Sequence, residues 1–518
     1  MTTALDAPRP PRMRISLLRV GVVLLCASAV VWGGYRSVSE AVTQAVVPEQ
    51  ATFAAYVDVT AWPPYPFETP EGPAQASVIL SFVVADTQDR CTPSWGGYYT
   101  LDEAASEIEL DRRVSQLRLT GGDARVSFGG ALNDELATVC TDLDDLREAY
   151  GAVVDRYELT SIDLDIEGPA LDDTAANERR AQAVRALQDD ALEQGSSLAV
   201  WLTLPVAPTG LTDQGVAVLA GMLAAGVDVA GVNGMTMDFN VVTTPDDPLA
   251  DVVLQASTAL QAQVQDAYTR TGQPLDDADA WAKVGITPMI GQSDIAAERF
   301  TLADAEVVNE FARAQGVGQV SMWSLNRDST CSHPLPKVLT VVQTGCSGID
   351  QGAGRFAEVL AADLASAQRI TAPSPTPSED PTPVPDRTAV VVDDPETSPF
   401  PIWDPLGTYP AGTKIVWRQQ VFEAWYWTSG FAPDTPVSNA KDSPWTLIGP
   451  VMPGDTPAPL PTLPAGSYPE WDPEEVYQAG TRVLLDQVPY EAKWWSQGQE
   501  PGVAIAGGSP WVLVMTGG

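Results

Sequence analysis

Three carboxylates, Asp163, Asp165 and Glu167, alternate with Ile162, Leu164 and Ile166 in the stretch SIDLDIEG (161–168). In a β-strand successive side chains point to opposite faces, so this spacing gathers the acids on one side and the aliphatics on the other. Crowding acids on one strand face opposes folding, so the pattern reads as chemistry. A carboxyl at the strand end can donate and recover a proton, and its neighbours can tune it. The bland alternative is a structural acid cluster. Calcium is disfavoured, because it needs about six to eight oxygens from a flexible loop and a strand does not supply them. No metal and no cofactor are expected.

The elements that must position these acids are legible as short β-branched runs between residues 50 and 350. They are TFAAYVDVT (52–60), SVILSFVVA (77–85), ARVSFGG (124–130) and SIDLDIEG, then LAVWLTLPV (198–206), VAGVNGMTM (229–237), KVGITPMI (283–290) and GQVSMWSL (318–325). Apolar residues at helical spacing lie between many of them, as in ERRAQAVRALQDDALEQG and LADAEVVNEFARAQG. Eight strands alternating with helices predict an α/β chain with a (β/α)8 TIM barrel over residues 50–370. An open doubly wound sheet is the runner-up, but no GxGxxG loop follows the first strand. RFAEVLAADLASAQRI (355–370) reads as a closing helix. In such a barrel functional groups collect at the C-terminal ends of the strands, where Glu167 falls.

Composition narrows the function. The chain has 518 residues, with 29 Lys and Arg against 68 Asp and Glu, a formal charge of −39. That field repels phosphate backbones and argues against nucleic acid. The single histidine, His333 in CSHPLP, leaves no basis for a His-rich zinc site and makes a poor catalytic base. Arg9, Arg12 and Arg14 precede an apolar stretch from about residue 15 to 35, broken by Arg19. Residues 1–36 therefore read as a signal peptide or a membrane anchor, with everything after them outside the cell, secreted or tethered. Cys26 follows Leu25, which argues against a lipoprotein signal. Export permits disulfides. Cys91, Cys140, Cys331 and Cys346 allow three pairings, of which Cys91–Cys140 and Cys331–Cys346 join nearest neighbours. Four buried free thiols are the alternative.

Beyond the barrel, residues 371–400 and 450–468 are rich in proline and small polar residues and read as extended linkers. After each comes a repeat, at 401–449 and 469–518. Trp403, Gly412, Phe422, Ala424, Tyr426, Trp427, Gly430 and Pro433 recur 68 residues later as Trp471, Gly480, Tyr490, Ala492, Trp494, Trp495, Gly498 and Pro501. Each repeat ends on Ser-Pro-Trp, at Trp445 and Trp511. A unit of about 45 residues is close to the lower limit for independent folding, so some aromatics must form its core. The functional alternative to a core-only role is that the pairs Tyr426–Trp427 and Trp494–Trp495 split, one member inside and one outward as a flat platform for a sugar ring. Composition alone leaves core and platform open.

SIDLDIEG resembles the DxxDxDxE strand of glycoside hydrolase family 18, the chitinases, with Thr160 at the first Asp position. SFGG (127–130), MTMDF (235–239) and MWSLNRD (322–328) are similar to that family's third-, sixth- and eighth-strand segments and fall in its order. CTPSWGGYY, TLPVAPTGL and TPMIGQSD look like a bacterial branch. The repeats are similar to chitin-binding modules of families 5 and 12, small and all-β, which favours the platform reading for Trp403, Tyr426, Trp427, Trp445, Trp471, Trp494, Trp495 and Trp511.

The resemblance implies a monomeric chitinase acting on β-1,4-linked N-acetylglucosamine by substrate-assisted retention. Glu167 would be the acid and base, Asp165 would orient the acetamide, and Asp163 would share a proton with Asp165. Asp238, Met237, Trp323 and Gln292 would bind substrate, with Trp323 as the floor of the site. Met237 stands where many members place a Tyr, and Asn233, Asn240 or Gln292 are the substitutes considered for it. A chitin lectin without turnover and an endo-β-N-acetylglucosaminidase acting on glycans are the alternatives. The retained Glu167 opposes the first, and the repeats oppose the second.

Overall fold

A computed structural model describes residues 51–244, 248–366, 393–405, 407–437, 442–457, 460–503 and 509–514. The expected signal or anchor (1–36) and most of the first linker lie outside the described residues. Among the described residues, no helix is long and apolar enough to cross a membrane.

Nine strands make the large sheet's central ring: β1 (Thr52–Phe53), β2 (Ala55–Asp58), β3 (Ser77–Ala85), β4 (Asp123–Gly129), β5 (Ser161–Asp165), β6 (Ala199–Ala207), β7 (Val229–Met235), β8 (Val284–Thr287) and β9 (Gln319–Val320). Strands β1 and β2 are one run broken at Ala54. All neighbours pair in parallel, β2 to β3 and onward to β9, and β9 returns to β1, so the pairings close on themselves. The crossovers carry α1 (Leu110–Leu119), α2 (Leu143–Arg156), α3 (Thr174–Glu193), α4 (Asp213–Ala224), α5 (Leu249–Arg270) and α6 (Leu302–Gln315). Helix starts follow side-chain caps: Asp142 accepts from the Asp144 and Asp145 amides, and Thr301 and Asp304 cap α6 reciprocally.

Strand parity then sorts the side chains. Ile162, Leu164, Val126, Phe128, Val200, Leu202 and Val232 are buried in the main core. Their neighbours Asp163, Ser127, Thr203 and Asn233 bond to one another inside the ring. Two expectations shift. The first crossover, 59–76, carries only a short 3-10 turn, Pro73–Gln75. The closing helix is short, Phe356–Leu360, and the chain then turns back into a strand, Ala365–Ser366, beside β1. Disulfides join Cys91 to Cys140 and Cys331 to Cys346.

Each C-terminal repeat folds as a three-stranded antiparallel sheet. The first uses β10 (Lys414–Trp417), β11 (Gln420–Ala424) and β12 (Trp445–Pro450). The second uses β13 (Arg482–Leu485), β14 (Val488–Ala492) and β15 (Trp511–Leu513).

Candidate active site

Asp163 sits mid-strand on β5, fully buried. Its carboxylate accepts hydrogen bonds from Tyr56 Oη (2.9 Å), Ser127 Oγ (2.7 Å) and Thr203 Oγ1 (2.7 Å). Asn233 donates to the same Tyr56 and Thr203 oxygens (3.2 and 3.1 Å) and accepts from Thr287 (2.8 Å). Burial pushes the Asp163 carboxyl above the usual carboxylate range, and the three hydroxyls and the Arg125 charge pull back against it.

Asp165, two residues on, is also buried, but its Oδ1 has no hydrogen-bond partner. Burial, Glu167 and Asp163 hold its carboxyl well above the ordinary value. Its neighbour Asp163 takes its three hydrogen bonds from hydroxyls and none from Asp165. Glu167 lies just past the end of β5 and is half-buried. Burial, and then the Asp238 charge, raise it too. The three acids thus form a graded column: hydroxyl-bonded at the bottom, unpartnered in the middle, and opening to solvent at Glu167.

Two glycines set how closely β4 approaches this column. A Cβ on Gly129 (φ +106°) would lie 2.0 Å from the Asp165 carbonyl oxygen, and one on Gly130 (φ +89°) would lie 2.9 Å from the Phe82 ring. Only glycine allows the contact. The Gly130 amide donates to that same carbonyl at 3.1 Å. Trp323 stacks on Phe82 (ring centroids 5.4 Å apart, planes at 19°) and lies 6.0 Å from Tyr56. This makes an aromatic floor beside the acids.

The remaining predicted residues separate. Asp238 is exposed and accepts from Ser293 Oγ at 2.7 Å. Asp294 is raised by burial and the Asp238 charge. Arg327, buried nearby, is drawn down to about 10 by burial. Met237 is half-buried and its thioether carries no donor to replace a Tyr hydroxyl. Gln292 is fully buried, its amide nitrogen donating to the Ser293, Ile295 and Glu298 carbonyls and its oxygen accepting from Arg299. It braces a loop and leaves nothing for a sugar. The Asn233 amide is likewise spent inside the ring, while Asn240 is exposed. His333 is exposed in its loop. Among the described residues, no group of His, Cys, Asp and Glu is placed to hold a metal ion.

In the repeats, Trp445 and Trp511 are core residues, contrary to the platform reading. They are buried, and their indole NH groups donate to the Phe431 and Gln499 carbonyls. Trp403 and Trp471 also pack against the repeat cores, Trp403 edge-on to Trp417. The adjacent pairs do not split. Tyr426 (44% exposed) and Trp427 (63%) both face solvent, as do Trp494 (41%) and Trp495 (55%).

Sequence reasoning passed over Trp425, which is 74% exposed beside Tyr426. It also passed over Tyr56, Phe82 and Thr203, whose signal was inward parity on their strands. Trp62 and Tyr98, exposed in the loops after β2 and β3, were missed as well; loop aromatics at the C-terminal face were the available clue.

Comparison with known proteins bears on both parts. Residues 470–512 match carbohydrate-binding module family 5/12. Over 251 residues the chain is 37% identical to a probable bifunctional chitinase/lysozyme of Escherichia coli (strain K12), covering 48% of this chain and 28% of that protein. Over 267 residues it is 37% identical to endochitinase 11 of Metarhizium anisopliae, covering 51% of this chain and 48% of that one. The chain therefore spans less than half the length of these curated relatives. The catalytic domain of a hyperthermophilic chitinase from Pyrococcus furiosus superposes with a TM-score of 0.50 at 26% identity, covering 60% of this chain and 94% of that domain. The large domain is chitinase-like in fold, and a carbohydrate-binding module of family 5/12 lies C-terminal to it.

Proposed function

We propose that this chain is an exported family 18 chitinase: a (β/α)8 barrel that hydrolyses β-1,4 links between N-acetylglucosamine units, followed by two chitin-binding modules. The observation that carries the reading is the buried, unpartnered carboxyl of Asp165 between Asp163 and Glu167. A polar atom held without a partner costs stability unless a ligand completes it, and a substrate amide N–H would do so.

All three acids rise from one strand, so none stands across the sugar to attack as a nucleophile. Family 18 is an exception to the two-carboxylate scheme, because the substrate's own acetamide does that work. Glu167 donates its proton to the glycosidic oxygen as the C1–O bond breaks. The acetamide oxygen bonds to C1, giving an oxazolinium ion, and Asp165 accepts from its N–H and offsets the positive charge. Water then attacks C1, Glu167 takes its proton, and the configuration is retained. Burial, and then the Asp238 charge, favour the protonated form of Glu167, and Trp323 supports the sugar from below. Two disulfides suit an oxidising compartment outside the cell.

The test is incubation with chitin oligomers and identification of the products. Glu167→Gln keeps the shape but carries no transferable proton, so hydrolysis should vanish while binding to chitin persists. Turnover at the wild-type rate in that variant would remove the mechanism.

A further inference from the structure

The two repeats share a sequence but not a setting. Strand β12 of the first repeat runs against α1 of the large domain. There Glu109, buried, accepts from Arg112 Nε (2.9 Å) through one oxygen and from Lys414 Nζ (2.7 Å) through the other. Arg112, also buried, reaches Asp455 (2.9 Å) and the Pro450 carbonyl. Asp455 in turn accepts from the Met452 amide at 2.6 Å. A Cβ on Gly449 (φ +153°) would lie 2.7 Å from the Arg112 carbonyl oxygen and 3.1 Å from Gln116 Cβ, so the sheet meets the helix where β12 has no side chain.

The second repeat differs at two of these positions. Its counterpart of Lys414 is Arg482, which pairs with Glu491 of its own sheet (2.8 Å), partly exposed to solvent. The repeat in sequence puts Met515 at the position of Gly449. Ordinary surface charges are not buried (Lys, Arg, Asp and Glu almost never are) unless a partner covers them. Glu109 and Arg112 are covered by the first repeat.

We propose that the first repeat is a fixed extension of the large domain, latched to α1 by Glu109, Arg112, Lys414, Asp455 and the close approach at Gly449. It thereby holds its Trp425–Tyr426–Trp427 face in one place, while the second repeat serves as the capturing module. This rests on the reading that the repeats bind chitin. Only residues 120–122 separate α1 from β4, so the C-terminal end of α1 lies at the bottom of the strands. Its ten residues rise about 14 Å from there. The latch therefore sits on the half of the helix nearer the catalytic face. Trp425 also belongs to the fixed repeat alone, because the second repeat has Lys493 at that position. A rigidly held three-aromatic face would present the chain being cut without the ordering cost that a mobile module incurs.

The experiment uses the full chain with Cys26→Ser, and spin labels on Ser106→Cys and Ser429→Cys, both exposed. Pulsed dipolar spectroscopy should give one narrow inter-label distance, and Lys414→Glu with Asp455→Arg should broaden it. Gly449→Leu, a second route to the same release, should broaden it as well. A broad distribution in the parent chain, or a narrow one surviving the charge reversal, would overturn the latch. Released variants should lose several-fold in rate on crystalline chitin while retention on chitin beads and cleavage of short oligomers stay at parent levels. An unchanged crystalline-chitin rate would overturn the positioning role. If the parent cleaved no chitin at all, the proposed function would fall while the distance measurement still decided the latch.

Discussion

Tyr56→Phe tests the logic of the acid column. The ring packs near Phe82 and Trp323, and phenylalanine keeps those contacts. What is lost is one hydroxyl donor of the three that serve Asp163 and one acceptor for the Asn233 amide. A hydrogen bond to a buried charge contributes about 1.5–3 kcal/mol, so the expected loss is about 2 kcal/mol wherever Asp163 is ionised. For a domain of this size that is a fall in Tm of roughly 4 °C. The pH dependence fixes the sign. Burial raises Asp163 in the folded state, so its contribution favours folding at low pH and is lost as pH rises through the folded value. Removing a donor to the carboxylate raises it further, so the deficit of Tyr56→Phe should be small near pH 4 and grow toward pH 8. Calorimetric scans of parent and variant at both values measure it. A variant as stable as the parent at pH 8, or one whose deficit is equal at both, would refute the assignment of Tyr56 as a donor to an ionised Asp163.

Asp165→Asn should lower the rate on chitin oligomers by orders of magnitude yet raise Tm at neutral pH. The raised Asp165 carboxyl costs stability as pH climbs above its unfolded value, so the gain should disappear near pH 4. Trp445→Ala should unfold the first repeat, since truncating a buried Trp costs about 3–5 kcal/mol, whereas Trp495→Ala, exposed in the second repeat, should weaken retention on chitin beads and leave that repeat's circular dichroism unchanged. Replacing Cys91 and Cys140 together by Ser should destabilise the large domain more than replacing Cys331 and Cys346. The first bridge spans 49 residues and the second 15, and chain-entropy loss grows with the loop, at about 3 kcal/mol for a 15-residue loop; equal losses in denaturant titrations would contradict that ranking.

How much of this was legible beforehand depended on whether neighbours in space were neighbours in sequence. SVILSFVVA became β3 with the same bounds, because a strand covered on both faces reads as a continuous apolar run. GQVSMWSL gave only a two-residue strand, since the chain leaves the ladder early and lays Trp323 over the site. The aromatic pairs did not split because residues 425–427 follow β11 in a loop, where strand parity does not apply. The contact between α1 and the first repeat could not be anticipated, because Arg112 and Asp455 lie 343 residues apart. Its only sequence trace is the divergence of two otherwise similar repeats at Gly449 and Lys414.

The strand face that looked hostile to folding is tolerable because the ring supplies partners from every side except one. At the bottom, Arg125 bonds to Gln319 (2.7 Å) and lies over the Trp201 ring. Its charge is felt at Asp163, whose other neighbours are hydroxyls from β2, β4 and β6. Moving up one strand repeat, those donors end, and Asp165 is left with acids above and below it. Satisfied polar networks rigidify, and partly satisfied ones carry the cost of the missing bond. In this column the missing bond falls at Asp165, one level below the half-exposed Glu167. The hydroxyls around Asp163 therefore do more than stabilise: by serving the lower acid and not the next, they leave Asp165 as the unpartnered carboxyl of the column.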